Sequence, residues 1–120
     1  MPERRVLVVE DDPLLRDVIA EALHEDGYAV EAADNGRTAL ELAQQRPPGL
    51  VILDLMMPHM NGEQFCVALR QLDGLQTVPI IVVSAARSAH EIGARVGATA
   101  ALRKPFDLFE LTDRVSDLLS

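Results

Sequence analysis

Apolar residues along the chain fall into short continuous runs that alternate with stretches of helical spacing. Arg5 to Val9 is a β-rich run, followed by a helical pattern that carries Leu14, Val18, Leu23 and neighbouring apolar positions. Asp12 before Pro13 supplies an N-cap and a proline at the first helical position, and Gly27 ends that helix. Tyr28 to Ala33 alternates as a second strand; Asp34-Asn35-Gly36 then opens a second helix through Ala39, Leu40, Leu42 and Ala43, which Pro47 and Pro48 stop. Leu50 to Leu53 is apolar throughout and partly β-branched, the signature of a strand buried on both faces. It delivers Asp54 at its carboxyl end and stops by Pro58.

Gly62 leads into a third helix whose expected inward face is Phe65, Val67, Ala68 and Leu72, ended by Asp73-Gly74. Pro79 to Val83 is a second central strand, and it ends in polar Ser84. A helix over 88–96 is expected to be the least stable, because Gly93 and Gly97 each weaken a helix interior by roughly 1 kcal/mol relative to alanine. Ala100 to Arg103 is a short strand ending at Lys104-Pro105. Asp107 and Glu110 have capping-box spacing, and Leu108, Leu111, Val115 and Leu118 mark the buried stripe of a last helix. Strands alternating with helices over short links predict an α/β fold, a doubly wound parallel five-stranded sheet covered on both sides. The 120 residues, 48% hydrophobic, suit one domain over 1–120 with a real core.

A net charge of -8 argues against direct nucleic-acid binding, which needs a basic face. The single cysteine, Cys66, excludes an internal disulfide and reads as a small buried helix residue. No stretch approaches the roughly 18 apolar residues of a membrane span. The opening Met1 to Arg5 is not a signal peptide, so a cytoplasmic location without membrane contact is expected.

Polar residues without an evident structural task gather at one sheet edge: Glu10 and Asp11 after the first strand, Asp54 after the third, Ser84 after the fourth and Lys104 after the fifth. Ligands of open α/β sheets bind outside the carboxyl ends of strands. The competing reading is local: an Asp that closes a strand or turn, and a Lys that is a solvated charge. Three carboxylates in one crevice repel unless a cation sits among them, and a hard divalent ion such as Mg2+ meets that need with oxygen ligands. His24, His59 and His90 lack ligand spacing and read as surface residues. A carboxylate also attacks phosphorus, and the transferred group then needs an ammonium, which Lys104 supplies as the only lysine of the chain. Ser84 offers a hydroxyl to a phosphoryl oxygen.

In this order Val8-Val9-Glu10-Asp11, Asp54-Leu55-Met56-Met57-Pro58, Gly62, Ser84-Ala85 and Lys104-Pro105-Phe106 resemble the receiver domain of bacterial two-component response regulators, over essentially the whole chain. The resemblance implies a flavodoxin-like (βα)5 fold with strand order 2-1-3-4-5 and a cis peptide before Pro105. It implies that Asp54 is the phosphoacceptor and that Asp11, Asp54 and the backbone carbonyl of Met56 hold Mg2+, with Glu10 acting largely through water. Lys104 would contact the phosphoryl group and Ser84 would follow it inward. The donor would be a phosphohistidine on a sensor histidine kinase or phosphotransfer protein.

Two departures bear on output. Leu102 stands where the family usually has an aromatic partner for the hydroxyl, and the stretch from Ser84 to Lys104 is shorter than usual, so the fourth helix is expected to be truncated or irregular. Leu102 is a candidate output-surface residue, although ordinary packing at a β-rich surface position is the stronger reading. Phe109 lies off the stripe of the last helix, where it is either a partner anchor or a scattered exposed apolar residue.

The expected function is a phosphoacceptor module that signals to a downstream protein as a monomer or phosphorylation-dependent dimer. Its only catalysis would be self-phosphotransfer and autodephosphorylation. No output domain is expected within these residues. A degenerate receiver acting without phosphate is the alternative. A phosphatase of the haloacid-dehalogenase kind typically has a second acid two residues after its nucleophile, where this chain has Met56. A flavin carrier is disfavoured by the acidic turn after the first strand.

Overall fold

The computed structural model describes residues 4–57 and 60–119. Pro58, which the sequence reading places at the end of the central apolar stretch, and His59, read there as a surface residue, lie outside them, as do residues 1–3. The elements run β1 (Arg5–Val9), α1 (Pro13–Glu25), β2 (Ala29–Ala33), α2 (Gly36–Gln45), β3 (Leu50–Asp54), α3 (Gly62–Arg70), β4 (Ile80–Ser84), α4 (Ala89–Arg95), β5 (Ala100–Arg103) and α5 (Leu108–Leu119). All strand pairs are parallel and the sheet order is β2-β1-β3-β4-β5. This is the flavodoxin-like order that the family resemblance implies.

Every residue of β3 and β4 is buried, which is why these strands read as unbroken apolar runs rather than alternating ones. Successive side chains point to opposite faces. On one face Leu7, Val9, Val51, Leu53, Ile80 and Val82 pack with Ala39, Ala43, Phe65, Cys66 and Leu69 of α2 and α3. On the other, Val6, Val8, Leu50, Ile52, Ile81 and Val83 pack with Ile19, Leu23, Leu111 and Val115 of α1 and α5.

Several expectations about helix faces need correction. Leu14 and Val18 are exposed on α1; the buried residues are Ile19 and Leu23, with Leu15 packed against the same core. On α3, Val67 is exposed while Cys66 and Leu69 are buried beside Phe65. That helix ends at Arg70, so Leu72 packs on the core from the following turn, and Gly74 adopts φ +81° there. Leu102 is 4% exposed and sits in the α1/α5 core. It is therefore buried rather than at the β-rich surface position expected, and packs in one cluster with Leu111 and Val115 of α5.

Helix α4 is short, as expected, with seven residues and no side-chain hydrogen bond at its N-cap. Gly93 lies inside it, where a Cβ would come within 3.2 Å of the Ala101 Cβ, so the glycine lets α4 press close onto β5. Gly97 follows the helix in the left-handed region, at φ +75°. Asp107 accepts a hydrogen bond from the Phe109 amide at the start of α5. The Lys104–Pro105 peptide is cis.

Cys66 is buried, and burial pushes its thiol up from 9.0 to about 11, with Arg70 opposing and Glu63 reinforcing the shift. Because the folded value is the higher one, this thiol costs no stability below pH 9. Stability falls as pH rises between 9 and 11, where only the unfolded chain gives up the proton. At pH 8 the thiolate is about 100-fold scarcer than in the unfolded chain. Iodoacetamide is therefore expected to alkylate the native protein at least that much more slowly than the urea-unfolded protein; equal rates would contradict the burial.

Candidate functional site

The parallel register decides which side chains meet at the carboxyl edge of the sheet. Val9 pairs with Leu53, and Asp54 pairs with Val83, so Glu10, Asp54 and Ser84 leave three adjacent strands side by side. Ser84 pairs with Arg103, and Lys104 comes next. The Lys104 amide donates to the Ser84 carbonyl at 2.7 Å, which fixes the root of the lysine at this edge.

From there the Lys104 ammonium reaches across two strand ends. Its Nζ donates to Glu10 Oε1 at 2.8 Å and to Asp54 Oδ2 at 3.2 Å. Glu10, Asp54 and Ser84 are the buried polar or charged residues among those described, and none of their side-chain polar atoms lacks a hydrogen-bond partner. Burial works to lower the Lys104 pKa, but the Glu10 hydrogen bond and the charges of Asp54 and Glu10 outweigh it, so the net shift is upward. The ammonium is a fixed charge of the site.

The remaining carboxylate oxygens are held by backbone. Asp54 Oδ1 accepts from the Met56 amide at 3.0 Å, and Glu10 Oε2 accepts from the Asp12 amide at 3.2 Å. Ser84 Oγ accepts from the Ala86 amide at 3.1 Å, which leaves its own hydrogen available as a donor. Glu10, Asp11 and Asp54 each offer an oxygen within 4.8 Å of the others. The set contains hard oxygen donors and no sulfur or imidazole, so it fits an octahedral divalent ion such as Mg2+.

The structure thus brings together Glu10, Asp11, Asp54 and Lys104, with Ser84 on the adjoining strand end and the Met56 backbone against Asp54. Leu102 and Phe109 do not belong to this group. Phe109 is 78% exposed and lines a groove of about 200 Å³ with Ala22, Glu25, Asp26, Leu108 and Thr112. His24 and His90 are exposed. Asp12 caps α1 by accepting from the Leu14 and Leu15 amides.

One feature had no sequence signal. Arg16 Nη1 donates to the Glu10 carbonyl at 3.1 Å, a contact to backbone that leaves no trace in a side-chain pattern. Gly62 carries no Cβ where one would lie 2.5 Å from Leu55 Cδ2 and 2.9 Å from Leu55 Cα, and its amide donates to the Leu55 carbonyl. Helix α3 is thereby seated directly on the segment that follows Asp54.

A family model described as the response regulator receiver domain matches residues 6–116. A probable transcriptional regulatory protein of Picosynechococcus is 45% identical, the match covering 96% of this chain and 49% of that protein. The chain spans about half the length of the curated relatives it matches. Among solved structures, the chemotaxis protein CheY4 of Vibrio cholerae superimposes with a TM-score of 0.89 at 33% identity, over 98% of this chain and 99% of that one. The receiver domain of a Pseudomonas aeruginosa sensor histidine kinase, described with a magnesium ion coordinated in its active-site cleft, gives 0.87 at 26% identity over 98% of each chain.

Proposed function

The chain belongs to the response regulator receiver domain family of two-component systems, and from that premise we propose that it accepts a phosphoryl group on Asp54. The observation that carries this reading is the Lys104 ammonium shared between the buried Glu10 and Asp54 carboxylates, with Asp11 alongside.

In the proposed reaction an Asp54 carboxylate oxygen attacks the phosphorus of a phosphohistidine on a sensor histidine kinase or phosphotransfer protein. A new O–P bond forms, the donor P–N bond breaks, and the imidazole leaves with a proton from solvent. Asp11, Asp54 and the Met56 carbonyl would hold Mg2+, with Glu10 acting through water. When bound, Mg2+ supplies charge neutralisation for the phosphoryl oxygens. Lys104, already hydrogen-bonded to Asp54, turns its ammonium to the transferred group, and Glu10 keeps the lysine in place. The Ser84 hydroxyl donates to a phosphoryl oxygen while still accepting from Ala86, so the new charge pulls on the segment leading into α4. Buried Leu102 occupies the usual aromatic position, so output here does not depend on an aromatic ring turning inward.

Hydrolysis of the acyl phosphate resets the domain, which makes self-phosphotransfer and autodephosphorylation its only chemistry. No helix among the described residues is long and apolar enough to cross a membrane. A phosphohistidine donor places the proposed reaction in the cytoplasm. The relatives named as transcriptional regulators are about twice as long as this chain, and with its acidic surface the proposed readout is a protein contact. Phe109 in its groove is the proposed anchor for such a contact. Phe109→Ala is expected to weaken that partner about tenfold or more, read by titration calorimetry, with phosphorylation unchanged. Unchanged affinity for every partner would remove Phe109 from the interface.

The reading is tested by intact-protein mass after incubation with Mg2+ and acetyl phosphate. One phosphoryl adduct is expected, absent when EDTA is present. A protein that takes up neither acetyl phosphate nor the phosphoryl mimic beryllofluoride would overturn the assignment.

A further inference from the structure

Of the three clustered acids, Asp11 alone is exposed, and among the described residues no hydrogen bond reaches its carboxylate or its backbone. Glu10 is fixed by Lys104 and by its amide on the Ala33 carbonyl; Asp54 is fixed by Lys104 and the Met56 amide. The position of the Asp11 carboxylate therefore depends on the residues flanking it. On one side Asp12 caps α1, and its amide is bound to Glu10 Oε2. On the other, among the described residues, the only tie to the Glu10 carbonyl, half of the peptide group that joins Glu10 to Asp11, is the guanidinium of Arg16 in the first turns of α1.

We infer that Arg16 is a positioning residue. By holding the Glu10 carbonyl it sets the plane of the Glu10–Asp11 peptide and aims the Asp11 carboxylate toward the divalent-ion site. Arg16 spans from a part-buried helix position back to the strand end and hydrogen-bonds a carbonyl, so its fork is spent on geometry. Its charge has the opposite effect, since a cation near the acidic trio weakens binding of another cation. This opposition gives the test a sign. If Arg16 acts through its charge, removing it tightens Mg2+ binding; if it positions Asp11, removing it loosens binding. Partners that orient metal ligands typically influence affinity by 10–100-fold. The inference rests on the proposed divalent-ion site.

The experiment is a MgCl2 titration of the full chain, phosphodonor absent, followed by the Asp11 and Asp54 amide resonances in wild type, Arg16→Ala and Arg16→Lys, with thermal midpoints measured alongside. The expected result is an Mg2+ Kd about tenfold weaker in Arg16→Ala and intermediate in Arg16→Lys, which keeps the charge and loses the fork. An equal or tighter Kd in Arg16→Ala overturns the inference. If Arg16→Ala does not fold, Arg16→Lys decides alone: a wild-type Kd there counts against positioning. Wild-type protein that binds no Mg2+ would instead retire the site on which the inference stands.

Discussion

An Asp54→Asn variant is expected to carry no phosphoryl adduct under conditions that label the wild-type protein, a loss of more than about 1000-fold in rate. The substitution keeps size and shape. The side-chain oxygen still accepts from the Met56 amide, so the fold around β3 is retained and a lower thermal midpoint is not the cause. What disappears is the nucleophile: a neutral amide does not attack phosphorus as a carboxylate does. Asp11 is free enough to move, which makes the outcome informative. An adduct of wild-type size in Asp54→Asn, mapped by peptide mass to Asp11, would show that the pocket is intact and the acceptor wrongly assigned.

Lys104→Met is the second large effect, and it separates into stability and rate. In the wild-type protein one ammonium faces two carboxylates that are almost wholly buried. Its removal leaves Glu10 and Asp54 as like charges without a partner, a change that typically costs about 3–5 kcal/mol. The partial exposure of Lys104 puts the expected loss near the lower bound, about 3 kcal/mol in urea unfolding without divalent ions. Adding Mg2+ should recover much of it, since a cation bound only by the folded state stabilises that state. Phosphorylation should stay slow even at saturating Mg2+, by about 100-fold or more, because the phosphoryl oxygens lose their ammonium. A variant as stable as wild type in EDTA would mean that the Glu10 and Asp54 contacts contribute nothing to folding.

The sheet and its chemistry were legible for the same reason. Strands β3 and β4 are buried on both faces, so they have to be written as unbroken apolar runs, and the polar residue that ends each run stands out. Helix faces were harder. In α1 the neighbours Leu14 and Leu15, and again Val18 and Ile19, are all apolar, so two stripes a residue apart fit the same periodicity. Which one turns inward is set by how Asp12 and Pro13 start the helix against the sheet. The run Phe65 to Leu69 in α3 poses the same ambiguity, and Val67 was misplaced by it. Leu102 was a candidate for the output surface because it stands at the family's usual aromatic position, with ordinary packing the stronger reading; that it is buried in one cluster with Leu111 and Val115 is a tertiary fact. Arg16 acts on a carbonyl, a group every residue carries, so no composition or spacing could single it out.

Lys104 is the only lysine in the chain, and its nitrogen is the one that touches Glu10 and Asp54. Apart from the chain's amino terminus, every amine-directed reagent is thus a reagent for this site. Coupling the protein to a surface or a dye through amines would either miss or inactivate it, so attachment has to go through another group. The same singularity is useful in spectroscopy: isotope-labelled reductive methylation would place one side-chain methyl signal at the centre of the pocket.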